Sequence, residues 1–184
     1  DVYKRQGLER VDYEQKGETV PFMVGLKDKV FSKLVFSKFK EGLGIVDTEY
    51  FVTAAAPMNK DVHRWFHAIG IDVTEIYGMT EDTGPATIGV PGNAVESFSK
   101  RLKADSIEVP SVLNPIGKVG IPIPGTEVKV MEDGELCIKG NHVAQGYYKS
   151  DEQTKETFDS DGWLHTGDLA EIDSEGYVLS LIHI

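Results

Sequence analysis

Three clusters in this sequence carry side chains suited to holding a nucleotide or a metal ion. The first cluster, IYGMTEDTGP, occupies residues 76–85. Tyr77 offers a flat ring on which a base can stack, and Gly78 lets the backbone approach a ligand closely. Thr80 supplies a hydroxyl for a phosphate oxygen, and Glu81 supplies the hard oxygen ligand that Mg²⁺ prefers. A polar connection after a strand, with the tyrosine packed on the core, is the alternative interpretation.

The second cluster is rich in small residues, and the third ends in an acidic residue. TAAAPM at 53–58 would let a flat purine or acyl group lie against the backbone, although close packing of a helix on a sheet also selects small residues. DGWLHTGD at 161–168 ends in Asp168, which follows a glycine. An acidic residue can accept hydrogen bonds from both ribose hydroxyls, and it can also form an Asx-type turn. Residue types alone leave these alternatives open.

The composition of the chain restricts the kinds of molecule that it is expected to bind. The chain has 184 residues, with 19 Lys+Arg against 30 Asp+Glu, and hydrophobic residues make up 40%. This is globular composition and excludes intrinsic disorder. The acidic surplus argues against a nucleic-acid backbone as partner, whereas a single nucleotide needs only a few local donors. Cys137 is the single cysteine, so an intramolecular disulfide is excluded and a reducing, cytoplasmic setting is expected. No apolar run reaches transmembrane length.

Hydrophobic periodicity in the first half predicts an α/β arrangement. Amphipathic helices are predicted at 26–43 and 59–69, and strands at 50–53 and 72–77. The order helix, strand, helix, strand implies a parallel sheet with covering helices. Since the first two clusters directly follow these strands, we place them at the carboxyl edge of the sheet, where ligands bind in open α/β folds.

The second half has a different pattern, with Gly and Pro between short strands. Strands are predicted at 126–131, 135–139, 169–173 and 177–179. The dipeptide Asp133-Gly134 suits a tight hairpin. We therefore predict a small antiparallel β-barrel subdomain at 110–179, with an antiparallel sheet as the alternative, after an α/β subdomain at 7–109. Residues 1–6 (DVYKRQ) and 180–184 (SLIHI) resemble translated adapter sequence and are predicted to be artefacts.

The histidines and the cysteine carry no predicted chemistry. His63 and His67 have the spacing of a zinc-protease pair, but Arg64 stands where that motif needs glutamate. We therefore predict that both are surface or packing histidines. Cys137 is predicted to be a small, half-buried strand residue, because a nucleophilic role would need a histidine partner that the sequence does not indicate. His165, inside the third cluster, has no assigned role.

In order and spacing, the three clusters resemble the motifs of the adenylate-forming (AMP-binding) superfamily, which includes acyl-CoA synthetases, peptide-synthetase adenylation domains and luciferases. The set is most similar to that of long-chain fatty acyl-CoA synthetases, especially the bubblegum-type branch. Shorter stretches agree: KLVFSK at 33–38, GKVG at 117–120 and QGYY at 145–148. The resemblance covers nearly all of residues 34–179 and implies a part of the large amino-terminal domain of such an enzyme.

The resemblance implies a ligase that uses ATP to activate a fatty carboxylate as acyl-AMP and then transfers it to coenzyme A. It implies catalysis by positioning and by charge neutralisation, with Mg²⁺ as a clamp. Thr80 would bond the α-phosphate and Glu81 would hold the Mg²⁺, which makes these two the implied catalytic residues. Tyr77 would stack on adenine, and Asp168 would bind the ribose hydroxyls. The other implied nucleotide-binding residues are Ala54, Ala55, Ala56, Pro57, Ile76, Gly78 and Met79.

The family also places a Ser/Thr/Gly-rich phosphate loop upstream, and downstream a Gly-Arg hinge and a small carboxyl-terminal domain with a lysine. Since the sequence has none of these, we predict an inactive fragment with weak nucleotide affinity. The intact enzyme is expected in the cytoplasm, with peripheral membrane association left open. Two alternatives stand beside this function: a non-catalytic nucleotide-binding α/β domain, and a related ligase for medium-chain or aryl acids.

Overall fold

The computed structural model describes residues 2–90, 110, 112 and 114–180. Residues 181–184 of the predicted artefact at 180–184, and the stretch 91–109 of the predicted α/β subdomain, lie outside these residues. The helices are α1 (Val2–Gln15), α2 (Phe22–Phe31), α3 (Ser37–Leu43), α4 (Lys60–Ala68) and α5 (Asp151–Thr157). The strands are β1 (Phe51–Thr53), β2 (Val73–Met79), β3 (Gly84–Ile88), β4 (Ile121–Pro122), β5 (Thr126–Val130), β6 (Glu135–Gly140), β7 (Leu164–Ile172) and β8 (Val178–Ser180). None of the helices described combines the length and apolar character that crossing a bilayer requires.

The first sheet has the strand order β1-β2-β3-β4 and is mixed rather than parallel. The strands β1 and β2 are parallel and are connected through α4. The β2–β3 and β3–β4 pairs are antiparallel. Only the 3₁₀ turn Thr80–Asp82 and one further residue separate β2 from β3, and a parallel pair would need a crossover of a dozen or more residues. The predicted parallel sheet is therefore correct for one pair of strands and wrong for the other two.

Helix α4 is an amphipathic element with a conventional start and stop. The Asn59 side chain accepts hydrogen bonds from the N–H groups of Asp61 and Val62, which satisfies two donors at the helix amino terminus. Gly70, with φ of 75°, follows the end of the helix. Beneath the sheet, Ile71 is only 2% exposed and packs in a core with Phe36, so its truncation to Ala would cost about 2–5 kcal/mol.

The predicted helix at 26–43 is longer and less regular than its periodicity indicates. It runs through α2, a π-helical turn at Ser32–Phe36 and α3 without leaving the helical conformation. Gly44 ends it in the left-handed region, with φ of 69°. The π turn places Phe36 in the core under the first sheet.

Helix α1 packs against α4 through a close backbone contact. A Cβ atom at Gly7 would overlap the carbonyl group of Ala68, so the two helices need glycine at this point. Val11 is buried, and the Arg10 guanidinium donates to the carbonyl oxygen of His67 at 2.7 Å. Residues 2–6 form the first turns of this helix. Their assignment to an artefactual end stays a prediction.

The second sheet has the order β5-β6-β7-β8, and all its pairs are antiparallel. Gly134, with φ of 90°, forms the predicted hairpin between β5 and β6. Strand β7 begins at Leu164, five residues before its predicted start. In the described part of the chain β5 and β8 do not pair with each other, so this sheet is open, as in the alternative to the predicted barrel.

A bulge interrupts the ladder between β6 and β7. Cys137 lies opposite His165, and Glu135 lies opposite Leu169, so that residues 166–168 on β7 face Leu136 alone. The bulge is fastened by the Thr166 hydroxyl, which donates to the Leu136 carbonyl at 2.7 Å, and by the N–H of Gly167, which donates to Glu135 Oε1 at 2.9 Å. Gly167 has φ of 72°, a conformation that favours glycine.

Candidate active site

A cleft of about 170 Å³ lies where the carboxyl ends of β1 and β2 meet the bulge of β7. Its walls are formed by Thr53, Ala55, Ala56, Pro57, Glu75, Ile76, Tyr77, Gly78, Val119 and Asp168. All three clusters singled out in the sequence contribute to it. The end of the parallel pair and the bulge thus bring together residues that are more than a hundred positions apart.

Tyr77 and Asp168 form one wall of the cleft. The Tyr77 hydroxyl donates a hydrogen bond to Asp168 Oδ2 at 2.6 Å. Burial and the adjacent carboxylate together raise the pKa of Tyr77, so the phenol keeps its proton and remains the donor. The ring also packs against the apolar face of the second sheet, beside Leu136 and Ala170. Its orientation is therefore fixed before any ligand arrives.

The opposite wall is the short turn that follows β1. Ala55 has φ of 70°, a left-handed conformation that costs a non-glycine residue about 1–2 kcal/mol. The turn is anchored where the N–H of Met58 donates to Glu75 Oε1 at 2.8 Å. Because Ala55, Ala56 and Pro57 have small side chains, this wall leaves room for a flat group beside the backbone.

Glu75, which the sequence did not single out, links this cleft to two buried histidines. Its Oε2 lies 3.4 Å from Nδ1 of His63, and His63 Nε2 lies 2.7 Å from the Val73 carbonyl oxygen. Burial alone would raise the pKa of Glu75, but the close contact with His63 and the hydrogen bond from Met58 outweigh it and hold this pKa below its ordinary value. Burial lowers the pKa of His63, and its contact with Glu75 and its hydrogen bond with the Val73 carbonyl reverse that, with a net rise.

His67 completes the group, and its pKa shifts in the opposite direction to that of His63. Its ring packs at right angles to the His63 ring, with centroids 4.7 Å apart. Burial lowers the pKa of His67, which favours the neutral ring. The prediction of packing histidines thus missed the ion pair of His63. Their four-residue spacing showed a shared helix face, but nothing local indicated a carboxylate on β2 as the partner.

Four of the predicted site residues do not line the cleft. Met79 packs in the apolar core with Ala86 and Leu164. Ala54 is exposed beside the turn. Thr80 and Glu81 belong to the 3₁₀ turn after β2, where Thr80 is exposed and Glu81 half-buried.

The Glu81 side chain is fastened to the QGYY stretch. Tyr147 donates its hydroxyl to Glu81 Oε1 at 2.6 Å, and this hydrogen bond, helped by slight burial, raises the pKa of Tyr147. The N–H of Ala144 donates to the Glu81 carbonyl oxygen at 2.7 Å. Next to it, burial raises the pKa of Asp82, whose Oδ1 accepts from the N–H of Gly84. The turn that carries Glu81 is therefore held to the second half of the chain.

Comparison with known proteins gives the same family at each level. A family model described as AMP-binding enzyme matches residues 19–148, more than half of the chain. The human long-chain-fatty-acid–CoA ligase ACSBG2 is 34% identical over 152 residues, which cover 82% of this chain and 20% of that protein. Mouse long-chain-fatty-acid–CoA ligase 5 is 37% identical over 155 residues, which cover 78% of this chain and 20% of that protein.

Among solved structures, a fatty acyl CoA synthetase of Mycobacterium tuberculosis has a TM-score of 0.55 and 29% identity, covering 73% of this chain and 25% of that one. The chain spans about a fifth of the length of the two curated relatives. The family model includes the turn after β1, the strand β2 and the QGYY stretch. This match, which includes the residues that form the cleft apart from Asp168, shows that the chain belongs to the AMP-binding enzyme family and is related to the long-chain fatty acid–CoA ligases.

Proposed function

We propose that this chain supplies the adenine-, ribose- and magnesium-binding side of the active site of an ATP-dependent long-chain fatty acid–CoA ligase. One observation carries the proposal: Tyr77, Asp168 and the small residues 55–57 line a single cleft. A ring, a carboxylate and a flat backbone wall are the three surfaces that an adenosine needs. The names of the curated relatives support the ligase chemistry and the fatty acyl substrate.

In this proposal adenine lies between the Tyr77 ring and the turn at 55–57. Stacking of a base on an aromatic ring contributes about 1–3 kcal/mol, and the fixed ring loses little conformational entropy. Asp168 accepts hydrogen bonds from the ribose hydroxyls while the Tyr77 hydroxyl holds its other side. Ile76 and Gly78, which also line the cleft, let the nucleotide follow the β2 backbone toward Thr80.

The charge-bearing part of the proposed site is the turn after β2. Mg²⁺ is usually held by one or two carboxylates together with substrate phosphates, and the Tyr147-oriented carboxylate of Glu81 fits that requirement. Bound there, the ion would offset repulsion between the triphosphate and the incoming carboxylate. The exposed hydroxyl of Thr80, one residue away, would donate to the α-phosphate.

The proposed reaction has two steps and no covalent protein intermediate. The fatty carboxylate attacks the α-phosphorus and releases pyrophosphate, and the thiol of coenzyme A then displaces AMP to give the thioester. The chain's own residues bind and orient the adenosine and the metal. We propose that the chain alone does not turn over, and that the whole protein acts in the cytoplasm, with peripheral membrane association left open. A medium-chain or aryl acid, or a non-catalytic nucleotide-binding role, are the competing functions.

Nucleotide binding by the purified chain tests the proposal. Saturation-transfer NMR, which detects weak ligands, is run with AMP and with non-hydrolysable acyl-adenylate analogues that carry long-chain, medium-chain or aryl groups. We expect Asp168→Asn to weaken binding at least about tenfold, the effect of losing a charged hydrogen bond. Asp161→Asn, at an exposed position in the same motif, is the control and should bind like the original chain.

Three outcomes would overturn parts of this proposal. Equal binding by the two variants would remove Asp168 from the site. Preference for the aryl or medium-chain analogue would replace the proposed acid. Thioester formation by the purified chain, measured with acid, ATP and coenzyme A, would contradict its proposed inactivity.

A further inference from the structure

The face of the second sheet that bears Cys137 carries a cluster of metal-binding side chains. Cys137 and His165 are direct cross-strand partners on β6 and β7, and Sγ lies 3.6 Å from Nδ1. Glu135 stands two residues before Cys137 on the same face, and its Oε2 lies 2.7 Å from the same Nδ1. The sulfur, nitrogen and oxygen atoms all lie within 4.8 Å of one another.

The sulfur–nitrogen distance in this cluster matches the requirement of a tetrahedral zinc ion. Zn–S and Zn–N bonds of about 2.3 and 2.0 Å set the two ligand atoms about 3.5 Å apart. The pair in Cys137 and His165 already has nearly this separation. Glu135 Oε2 is closer to His165 Nδ1 than a shared ion allows. A small rotation of the carboxyl group would lengthen this distance.

The groups around the cluster are placed where they could hold its side chains in position. Metal-bound histidines usually offer their second ring nitrogen to a carboxylate, and His165 Nε2 lies 3.8 Å from Asp159 Oδ2. The other oxygen of Asp159 accepts from the N–H groups of Asp161 and Trp163, which fixes its position. The N–H of Gly167 donates to Glu135 Oε1 and so fixes the position of that carboxylate.

Access and charge also favour a cation at this place. The side chains of His165 and Glu135 are 27% and 22% exposed, whereas Cys137 is fully buried behind them. An ion could therefore arrive from the solvent side and keep one position open. Lys129 stands opposite Cys137, but its Nζ lies over the Trp163 ring, 4.1 Å from the centroid. The same burial argues against a nucleophilic Cys137, because no substrate carbon could reach the sulfur.

We propose that Glu135, Cys137 and His165 bind Zn²⁺ or a divalent cation of similar softness, at a site separate from the magnesium site proposed at Glu81. Glu135 joins this site to the cleft, because its second oxygen holds the bulge that presents Asp168. Ion binding would therefore restrain the bulge as well as the three ligands.

Cobalt titration of the purified chain tests the proposal. Tetrahedral Co²⁺ bound to a thiolate gives a near-ultraviolet charge-transfer band and strong visible bands, and Zn²⁺ should abolish them while excess Mg²⁺ should not. We expect Cys137→Ser to remove the charge-transfer band. His165→Gln and Glu135→Gln should each weaken Zn²⁺ competition at least tenfold, and Asp159→Asn about 10–100-fold.

Two variants that leave the three proposed ligands unchanged serve as controls, His142→Gln and Glu127→Gln, and both should bind like the original chain. Circular dichroism of every variant separates a lost site from a lost fold. The proposal is overturned if the folded original chain gives no charge-transfer band. It is also overturned if the band and the Zn²⁺ competition persist unchanged in folded His165→Gln and Glu135→Gln, since the thiol alone would then be the ligand.

Discussion

The phenolic oxygen of Tyr77 lies 2.6 Å from Oδ2 of Asp168, although the two residues are 91 positions apart in the chain. One comes from β2 of the mixed sheet, and the other from the bulge in β7 of the antiparallel sheet. This hydrogen bond is therefore a direct polar link between the two sheets at the mouth of the cleft.

Replacing Tyr77 by Phe should remove that link while keeping the ring. Hydrogen bonds to charged groups contribute about 1.5–3 kcal/mol, so we expect the free energy of unfolding to fall by roughly 1–3 kcal/mol. Urea titration followed by tryptophan fluorescence measures it. The control is Tyr148→Phe, whose ring is 89% exposed and should be neutral. Equal stability of the two variants would show that the link contributes nothing.

Glu81→Gln should abolish the magnesium dependence of ATP binding, because the amide lacks the charge that a hard cation requires. Binding is compared with and without Mg²⁺. Tyr147→Phe should retain the dependence, since it removes only the hydrogen bond that orients the carboxylate. Glu152→Gln, at an exposed position on α5, is the charge-matched control. An unchanged response in Glu81→Gln would place the ion elsewhere.

Ala55→Gly should stabilise the chain, because glycine adopts a φ of 70° without steric cost. We expect a gain of up to about 1 kcal/mol in the free energy of unfolding, reduced by the greater freedom of glycine in the unfolded chain. The neighbouring Ala54→Gly is the matched control, and it should be destabilising by a few tenths to 1 kcal/mol. The same sign in both variants would argue against strain at Ala55.

Gly7→Ala should weaken the packing of α1 on α4, because the new methyl group would overlap the Ala68 carbonyl. Overpacking of this kind costs about 1–3 kcal/mol. Gly42→Ala, on α3 where a Cβ meets nothing within 4 Å, should instead stabilise by about 0.5–1 kcal/mol. Thermal unfolding of the two variants distinguishes them. A neutral Gly7→Ala would mean that α1 does not stay docked in solution.

The stability of the chain should depend on pH through the His63–Glu75 pair. The pKa of His63 is raised, so its contribution is full below the ordinary value of 6.5 and is lost as pH rises through the raised pKa. The pKa of Glu75 is lowered, so its contribution is full above 4.5 and is lost as pH falls through the lowered pKa. Both contributions are therefore present together between about pH 4.5 and 6.5.

Unfolding free energies measured from about pH 4 to about pH 8 test this dependence. The loss caused by His63→Gln should be largest inside the window and should shrink above it. The control is His67→Gln. Since burial lowers the pKa of His67, the contribution of that ring is present above 6.5 and is lost as pH falls, which gives the opposite slope. A pH-independent loss in His63→Gln would rule out a charged pair.

Local sequence patterns were sufficient to predict the helices and strands that have a cap, a periodic apolar face or a turn motif of their own. Helix α4 has an Asn cap, an apolar face and a terminal glycine, and it lies within one residue of its predicted bounds. Strands β5 and β6 follow from their alternation and the Asp133-Gly134 hairpin. The first two clusters reached the edge of the sheet because strands β1 and β2 end there.

Pairing between distant strands had no local signal. Strand β3 is antiparallel to β2 because the connecting turn is short, a feature that a rule based on element order overlooks. Cys137 and His165 meet only because of the β6–β7 register, and the histidine partner that the sequence did not indicate is on the neighbouring strand. A charged contact such as His63 with Glu75 likewise depends on packing rather than on spacing.

Because of the bulge at 166–168, strand β7 is longer than its pairing with β6 requires. Two residues there are surplus to the antiparallel pairing, since three positions face one. A deletion of two residues would therefore restore a regular ladder, keep the apolar face of the sheet in register and withdraw the carboxylate from Tyr77. Evolution could switch off this site by one short in-frame deletion, at the cost of the Tyr77–Asp168 hydrogen bond, and could restore it by the reverse insertion.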